Sequence, residues 1–109
     1  MSYFYHPEER AVKDLMAGVH ARTFWGQTML LAVVDLEAGA EIPKHSHPHE
    51  QGGIVIAGEP EFNIAGEVQR LFPGDLYMIP GGTVHSVKIG AEPVKVMDIF
   101  SPVREEYKY

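Results

Sequence analysis

Glycine and proline punctuate this chain so often that only short segments fit between them. Gly52-Gly53, Gly58-Glu59-Pro60, Gly66-Glu67, Pro73-Gly74-Asp75, Pro80-Gly81-Gly82 and Gly90 separate short apolar pieces. These are Ile54 to Ala57, Glu61 to Ala65, Val68 to Phe72, Leu76 to Ile79, Val84 to Ile89 and Val94 to Phe100. Many short strands at such spacing, joined by Gly and Pro turns, indicate an all-β sandwich or barrel. A closed or nearly closed barrel also hides strand edges that a small chain would otherwise expose.

The N-terminal third fits the same scheme. Val19, Ala21, Thr23 and Trp25 alternate with His20, Arg22 and Phe24, as in a strand. Gly26-Gln27 is a turn, Met29 to Leu36 is long and β-rich enough for a central strand, and Glu37-Ala38-Gly39-Ala40 breaks it. Ahead of these, Pro7-Glu8-Glu9 opens either a short helix reaching Ala17 and ended by Gly18, or an irregular arm with a short edge strand. The residues leave both open.

Chemistry concentrates between Gly39 and Gly58. His45, His47 and His49 occupy alternate positions and Gln51 follows in phase, so an extended backbone turns these side chains to one face. Neutral imidazole is the commonest protein ligand for divalent transition metals, and an amide oxygen can complete a set. His85 stands just after the Pro80-Gly81-Gly82 turn. The expected site is therefore His45, His47, Gln51 and His85 on one divalent ion, with nickel, manganese, iron and zinc all compatible. Glu50 has the wrong phase for that face, and Pro48 interrupts regular alternation. His49, directly after Pro48, reads as a supporting or exposed residue rather than a ligand.

Near the C-terminus Val94, Val96, Asp98 and Phe100 share one face of a strand. A carboxyl in phase with valines and a phenylalanine is either paired inside the protein or functional. Pro102 ends the strand and Arg104 follows within reach. Two readings stand: an Asp98–Arg104 ion pair that closes the barrel, or a catalytic pair.

Composition narrows the function classes. The chain has 109 residues, enough for a single domain over 1–109 with a short N-terminal arm. A net charge of -6 without clustered Lys and Arg argues against a nucleic-acid partner. The absence of cysteine removes disulfides, zinc–thiolate sites and thiol nucleophiles, and fits a reducing compartment. MSYFYHPEER has no basic region followed by an apolar run, and no stretch approaches membrane-spanning length, so the expectation is a soluble cytoplasmic domain with no membrane partner. Tyr3, Phe4, Tyr5 and the Trp25 strand carry apolar area that a small barrel does not easily bury alone, which points to a homodimer.

The two histidine stretches resemble the paired motifs of the cupins. The first motif is Gly, five residues, His-x-His, three residues, Glu, six residues, Gly. Gly39, His45, His47 and Gly58 match, with Gln51 in place of Glu. The second is Gly, five residues, Pro-x-Gly, two residues, His, three residues, Asn. Gly74, Pro80, Gly82 and His85 match, and Ile89 departs. The resemblance implies a double-stranded β-helix, or jelly-roll, barrel. Gln for Glu leaves a divalent ion uncompensated by its ligands, making it a stronger Lewis acid and a better host for an anionic substrate. The set also lacks the two-His-one-carboxylate pattern of many oxygen-activating irons.

From Leu30 onward the chain resembles, more narrowly, the small cupins of the pectin-degradation protein family, which open the ring of unsaturated uronate monomers. That likeness implies a metal on His45, His47, Gln51 and His85 and catalytic roles for Asp98, Phe100 and Arg104. Asp98 would move protons, Arg104 would clamp the substrate carboxylate with its planar fork, and Phe100 would shape the apolar wall. The expected partner is a small acidic sugar. The rival readings are another metal enzyme, a dioxygenase or sugar isomerase, and a sugar-binding module without chemistry.

Overall fold

The computed structural model describes residues 2–109. Its strands are β1 (Lys13–Met16), β2 (Val19–Trp25), β3 (Leu30–Leu36), β4 (Glu41–His45), β5 (Glu50–Ala57), β6 (Glu61–Ile64), β7 (Glu67–Arg70), β8 (Leu76–Ile79), β9 (His85–Lys88) and β10 (Val94–Ser101). Two short 3-10 turns, Pro7–Glu9 and Glu105–Tyr107, accompany them. The strands build two antiparallel sheets, one of six in the order β1-β2-β3-β10-β5-β8 and one of four in the order β4-β9-β6-β7. This is the expected all-β jelly roll.

Period-two patterning puts the core between the sheets. On β3, Leu30, Ala32, Val34 and Leu36 are buried and the residues between them are half-buried. On β10 the buried set is Val94, Val96, Asp98 and Phe100. Register aligns the two, with Val96 opposite Val34 and Asp98 opposite Ala32. Leu30, Ile79, Val19 and Val55 are among the largest side chains removed from water. Each such apolar group stabilises the fold by roughly 1.5–3 kcal/mol.

The structure decides between the two N-terminal readings. Pro7–Glu9 makes a single 3-10 turn, and residues 13–16 form the edge strand β1 instead of continuing a helix to Ala17. The pairing partner β2 supplies backbone hydrogen bonds that a short isolated helix cannot match. The arm is held by Tyr5, whose ring sits 4.9 Å from that of Phe24, and by the Arg10 guanidinium, 4.8 Å from the same ring. Arg10 also donates to the Tyr109 carbonyl at 3.1 Å, so both chain ends meet over β2.

Gly52-Gly53 is a second correction, because it lies inside β5 and does not interrupt it. The reason is the neighbour: a Cβ on Gly53 would fall 2.2 Å from the Tyr77 ring, so the missing side chain makes room for an aromatic and makes no turn. Ala65-Gly66, by contrast, is a true two-residue hairpin between β6 and β7, both residues at positive φ.

His20 ties the start of the fold together. Its Nδ1 lies 2.6 Å from Asp14 on β1 and its Nε2 2.5 Å from Glu37 after β3. The two carboxylates, Glu37 first, raise the imidazole pKa above its ordinary value. A raised pKa in the folded state means the clasp contributes fully below about pH 6.5 and is lost as pH rises through the folded value. We expect the difference in melting temperature between wild type and His20→Ala to be largest near pH 6 and to shrink by pH 9. Thermal melts across that range check it.

Candidate metal centre

Three imidazoles converge at one end of the barrel. The ligand nitrogens of His45, His47 and His85 all lie within 4.8 Å of one another. Each residue reaches that point by a different route. His45 ends β4, opposite His85 on β9, across a bulge in which Pro43 and Lys44 face Ser86 alone. In a regular strand His45, three residues after the inward Ile42, would have the opposite phase; the bulge absorbs one residue and restores it to the inside. His47 sits in the connection between β4 and β5, and Gln51 lies on β5.

The expected single extended face is therefore corrected. β4 belongs to the four-stranded sheet and β5 to the six-stranded one, so residues 46–49 carry the chain from one sheet to the other. His45 and Gln51 approach the site from opposite walls, with His47 between them. Pro48 is the local reason, since it cannot donate in a ladder and directs the preceding residue to extended geometry outside a sheet.

The ring orientations are fixed by the backbone. Nδ1–H of His45 donates to the Pro43 carbonyl at 2.8 Å, and that of His85 to the Thr83 carbonyl at 2.8 Å. Nδ1–H of His47 donates to the His49 carbonyl at 3.1 Å. A carbonyl only accepts, so in each neutral ring the Nε2 carries the lone pair. Burial holds His47 and His85 below the ordinary imidazole pKa, which keeps those lone pairs free at neutral pH. His85 Nε2 is buried and has no hydrogen-bond partner among the described residues.

These features fit a divalent cation. His47 Nε2 lies 3.1 Å from Gln51 Oε1. With Nδ1 already donating, that contact sets two lone pairs against each other, a poor arrangement unless a cation shares them. Two adjacent ligands each about 2.1 Å from one ion sit about 3 Å apart, so the spacing suits Gln51 as well as the three histidines. His49 is not among the clustered ligands, and its backbone carbonyl accepts from His47 Nδ1.

A cavity of about 170 Å³ extends from the histidines into the barrel. His45, His85, Gln51, Asp98, Phe100 and Arg104 line its polar end, and its inner wall is apolar, with Val34, Val87 and Val96. Asp98 is buried and accepts a short hydrogen bond from the Tyr77 hydroxyl. Desolvation pushes its pKa up to about 6, against the opposing influence of Tyr77, Gln51 and Arg104. Burial raises the Tyr77 hydroxyl far above its ordinary value, and the Asp98 charge adds to that, so it stays a donor.

The alternative of an Asp98–Arg104 ion pair is not what the structure shows. Among the described residues Arg104 pairs with Glu106, Nε to Oε2 at 3.3 Å. Its guanidinium stacks 4.0 Å from the Tyr107 ring centroid and 5.2 Å from that of Phe100. Tyr77, Tyr107 and Glu106 are thus site residues that sequence reasoning missed. Leu76 to Ile79 is apolar at every position, so alternation does not say which residues face in. The one signal was the small residue, Gly53, directly opposite Tyr77 in the register.

A cupin-domain family model matches residues 32–100. The chain is a cupin. Its fold superposes on KdgF from Halomonas sp. with a TM-score of 0.91 at 28% identity, covering 99% of this chain and 100% of that one. An RmlC-like cupin from Shewanella frigidimarina gives a TM-score of 0.92 at 25% identity, covering 99% and 97%. The dimethylsulfoniopropionate lyase DddQ of Ruegeria pomeroyi is 35% identical over 71 residues, 64% of this cupin and 35% of the lyase, so this chain spans about a third of that relative. No helix among the described residues is long and apolar enough to cross a membrane.

The three-histidine cluster predicts about one divalent ion per chain, with loss of tight binding in His85→Ala and a weaker loss in Gln51→Ala. Elemental analysis of tag-free protein, with calorimetric titration of the stripped form, checks both. His49→Ala should leave the stoichiometry unchanged.

Proposed function

We propose that this cupin is a metal-dependent enzyme that converts a cyclic 4,5-unsaturated uronate into its linear keto form. The observation that carries the reading is one small cavity faced by a buried carboxyl, Asp98, a stacked guanidinium, Arg104, and the histidine cluster. The position-by-position resemblance of His45, His47, Gln51, His85, Asp98, Phe100 and Arg104 to the small pectin-degradation cupins supports it. So does the end-to-end likeness to KdgF, a chain of the same extent.

His45, His47, Gln51 and His85 would hold the ion. When bound, the ion supplies Lewis acidity toward a substrate oxygen. Arg104 binds the substrate carboxylate. Glu106 holds the Nε edge of its guanidinium and Tyr107 its face, which leaves the terminal nitrogens as the free end of the fork. Asp98 takes the proton of the anomeric hydroxyl as the bond between C1 and the ring oxygen breaks, and returns a proton to C4 as the enol becomes a ketone. Atoms balance without a co-reactant. Tyr77 holds the Asp98 carboxyl in place, and Phe100 excludes water from the apolar side.

Burying Asp98 costs stability that its chemistry justifies. A folded pKa near 6 against a reference of 3.8 means the native state binds the extra proton, so its stability falls as pH rises between those values. At about 1.4 kcal/mol per unit the cost above pH 6 is on the order of 3 kcal/mol. Metal-free Asp98→Asn is therefore expected to melt higher than wild type at pH 8 and to converge with it near pH 4. The same variant should slow ring opening by about 10²–10⁴-fold, the range for a proton-transfer group. Loss of the substrate's ultraviolet absorbance measures the second effect and melts the first.

Arg104→Ala should weaken binding of uronates far more than of neutral sugars. Glu106→Ala, which frees the guanidinium edge, should raise KM with little change in kcat. A metal-loaded wild type that leaves the spontaneous rate of ring opening unchanged would overturn the proposed reaction. Turnover of dimethylsulfoniopropionate instead would move the reading to that relative's chemistry, with Arg104 serving a different carboxylate.

A further inference from the structure

A polar row crosses the core face of the six-stranded sheet. Register sets Thr23 opposite Ala32, Ala32 opposite Asp98, Asp98 opposite Gly53 and Gly53 opposite Tyr77. The neighbouring row, Ala21, Val34, Val96 and Val55, is wholly apolar. Asp98 and Tyr77 already serve the cavity. Thr23, at the other end of the same row, is fully buried and does not line the cavity.

A hydroxyl buried this deeply needs a partner, and threonine ordinarily finds one in backbone a few residues away. Here the partner is at the far end of the chain. Thr23 Oγ1 donates to the Tyr107 carbonyl at 2.5 Å. Valine would fill nearly the same space among Val19, Ala21 and Ala32, and would leave that carbonyl without this donor.

Tyr107 is the face on which Arg104 lies. The guanidinium carbon is 4.0 Å from the ring centroid, and the ring meets Phe100 edge-on at 5.5 Å. The Tyr107 N–H donates to the Arg104 carbonyl at 2.9 Å. The 3-10 turn that carries them is three residues long, and it belongs to neither sheet. Val103 anchors it upstream by packing in the core, and the Thr23 hydroxyl pins it at the ring's own backbone.

We infer that Thr23 is a positioning residue: through the Tyr107 carbonyl it fixes the ring that aims the Arg104 fork into the cavity. That the fork meets a substrate carboxylate there rests on the uronate reading above. A bidentate contact tolerates little error in the plane of the fork, and a displacement of about 1 Å can cost about 100-fold. A hydroxyl that served only the fold would add stability and leave Arg104 where it is.

Thr23→Val removes the donor and keeps the shape, whereas Thr23→Ser keeps the donor. In the metal-loaded protein, Thr23→Val should raise KM for the unsaturated uronate about tenfold, with kcat within about twofold, and Thr23→Ser should restore it. A second measurement needs no substrate. In a nitrogen–proton NMR spectrum the Arg104 Nε–H signal, assigned by its loss in Arg104→Lys, should carry the ring-current shift of Tyr107. That shift should collapse in Thr23→Val and return in Thr23→Ser, with metal stoichiometry unchanged in both. An unmoved Arg104 signal overturns the inference, since a lower melting temperature alone marks a structural bond. So does an unchanged KM where wild type turns over the uronate, or a failure of serine to restore either readout. If wild type turns over no uronate, the proposed reaction falls and the Arg104 signal alone decides the role of Thr23. Should Thr23→Val not fold, Thr23→Ala replaces it, judged against Thr23→Ser, from which it differs by the hydroxyl alone.

Discussion

The site depends on one docking contact between two turns. The Gly82 N–H donates to the His47 carbonyl at 2.8 Å, and a Cβ on Gly81 would lie 2.3 Å from the Pro48 carbonyl oxygen. Residues 80–82 therefore press backbone against backbone on the segment that carries the chain between sheets. Gly82 takes a positive φ there, which glycine adopts without strain. This contact sets His85, at the start of β9, beside His45 and His47. A side chain on Gly81 would push the two turns apart, and with them the third histidine from the other two; one on Gly82 would have room but would strain the positive-φ backbone.

From that contact the remaining order follows. The His47, His45 and His85 rings are locked by their own nearby carbonyls, so the lone pairs face inward before any ion arrives. Gln51 comes from the opposite sheet, which means that a metal on all four residues would join the two walls of the barrel. Below them, Asp98 and Tyr77 form a polar pair in an otherwise apolar interior. A barrel built only for stability would have no use for a carboxyl there, because a well-packed apolar residue carries no desolvation cost. Asp98 lies beside the cavity, where the proposed proton transfer would use it.

Arg104 shows how the chain end becomes part of the site. The last residues cross back over the barrel, where the Tyr107 carbonyl accepts from Thr23 at 2.5 Å and the Tyr109 carbonyl from Arg10 at 3.1 Å. Thus pinned, the turn Glu105–Tyr107 holds the guanidinium by stacking and by charge. The same N-terminal arm that receives the C-terminus covers the outer face of β2. Arm, tail and β2 are therefore tied to one another by these contacts.

By itself the sequence determined most of the strands and turns and the residue types that could hold a metal. Period-two alternation in β3 and β10 is a local property, and so is the demand of Gly66 or Gly82 for a turn. The spacing of the two histidine motifs is equally local, and it carried the cupin resemblance. Tertiary structure alone decided which wall each ligand stands on. A bulge at Pro43-Lys44 and a crossing at Pro48 replaced the simple alternation that residue spacing implies. Only the register could reveal Tyr77, since Gly53 makes room for it from a strand far away in sequence. The fate of Asp98 was likewise a matter of three-dimensional neighbours. Its phase among valines announced burial, but whether Arg104 or Tyr77 satisfied it depended on how the C-terminal turn folded back, and a hydrogen bond between distant strands leaves no periodic trace in the chain.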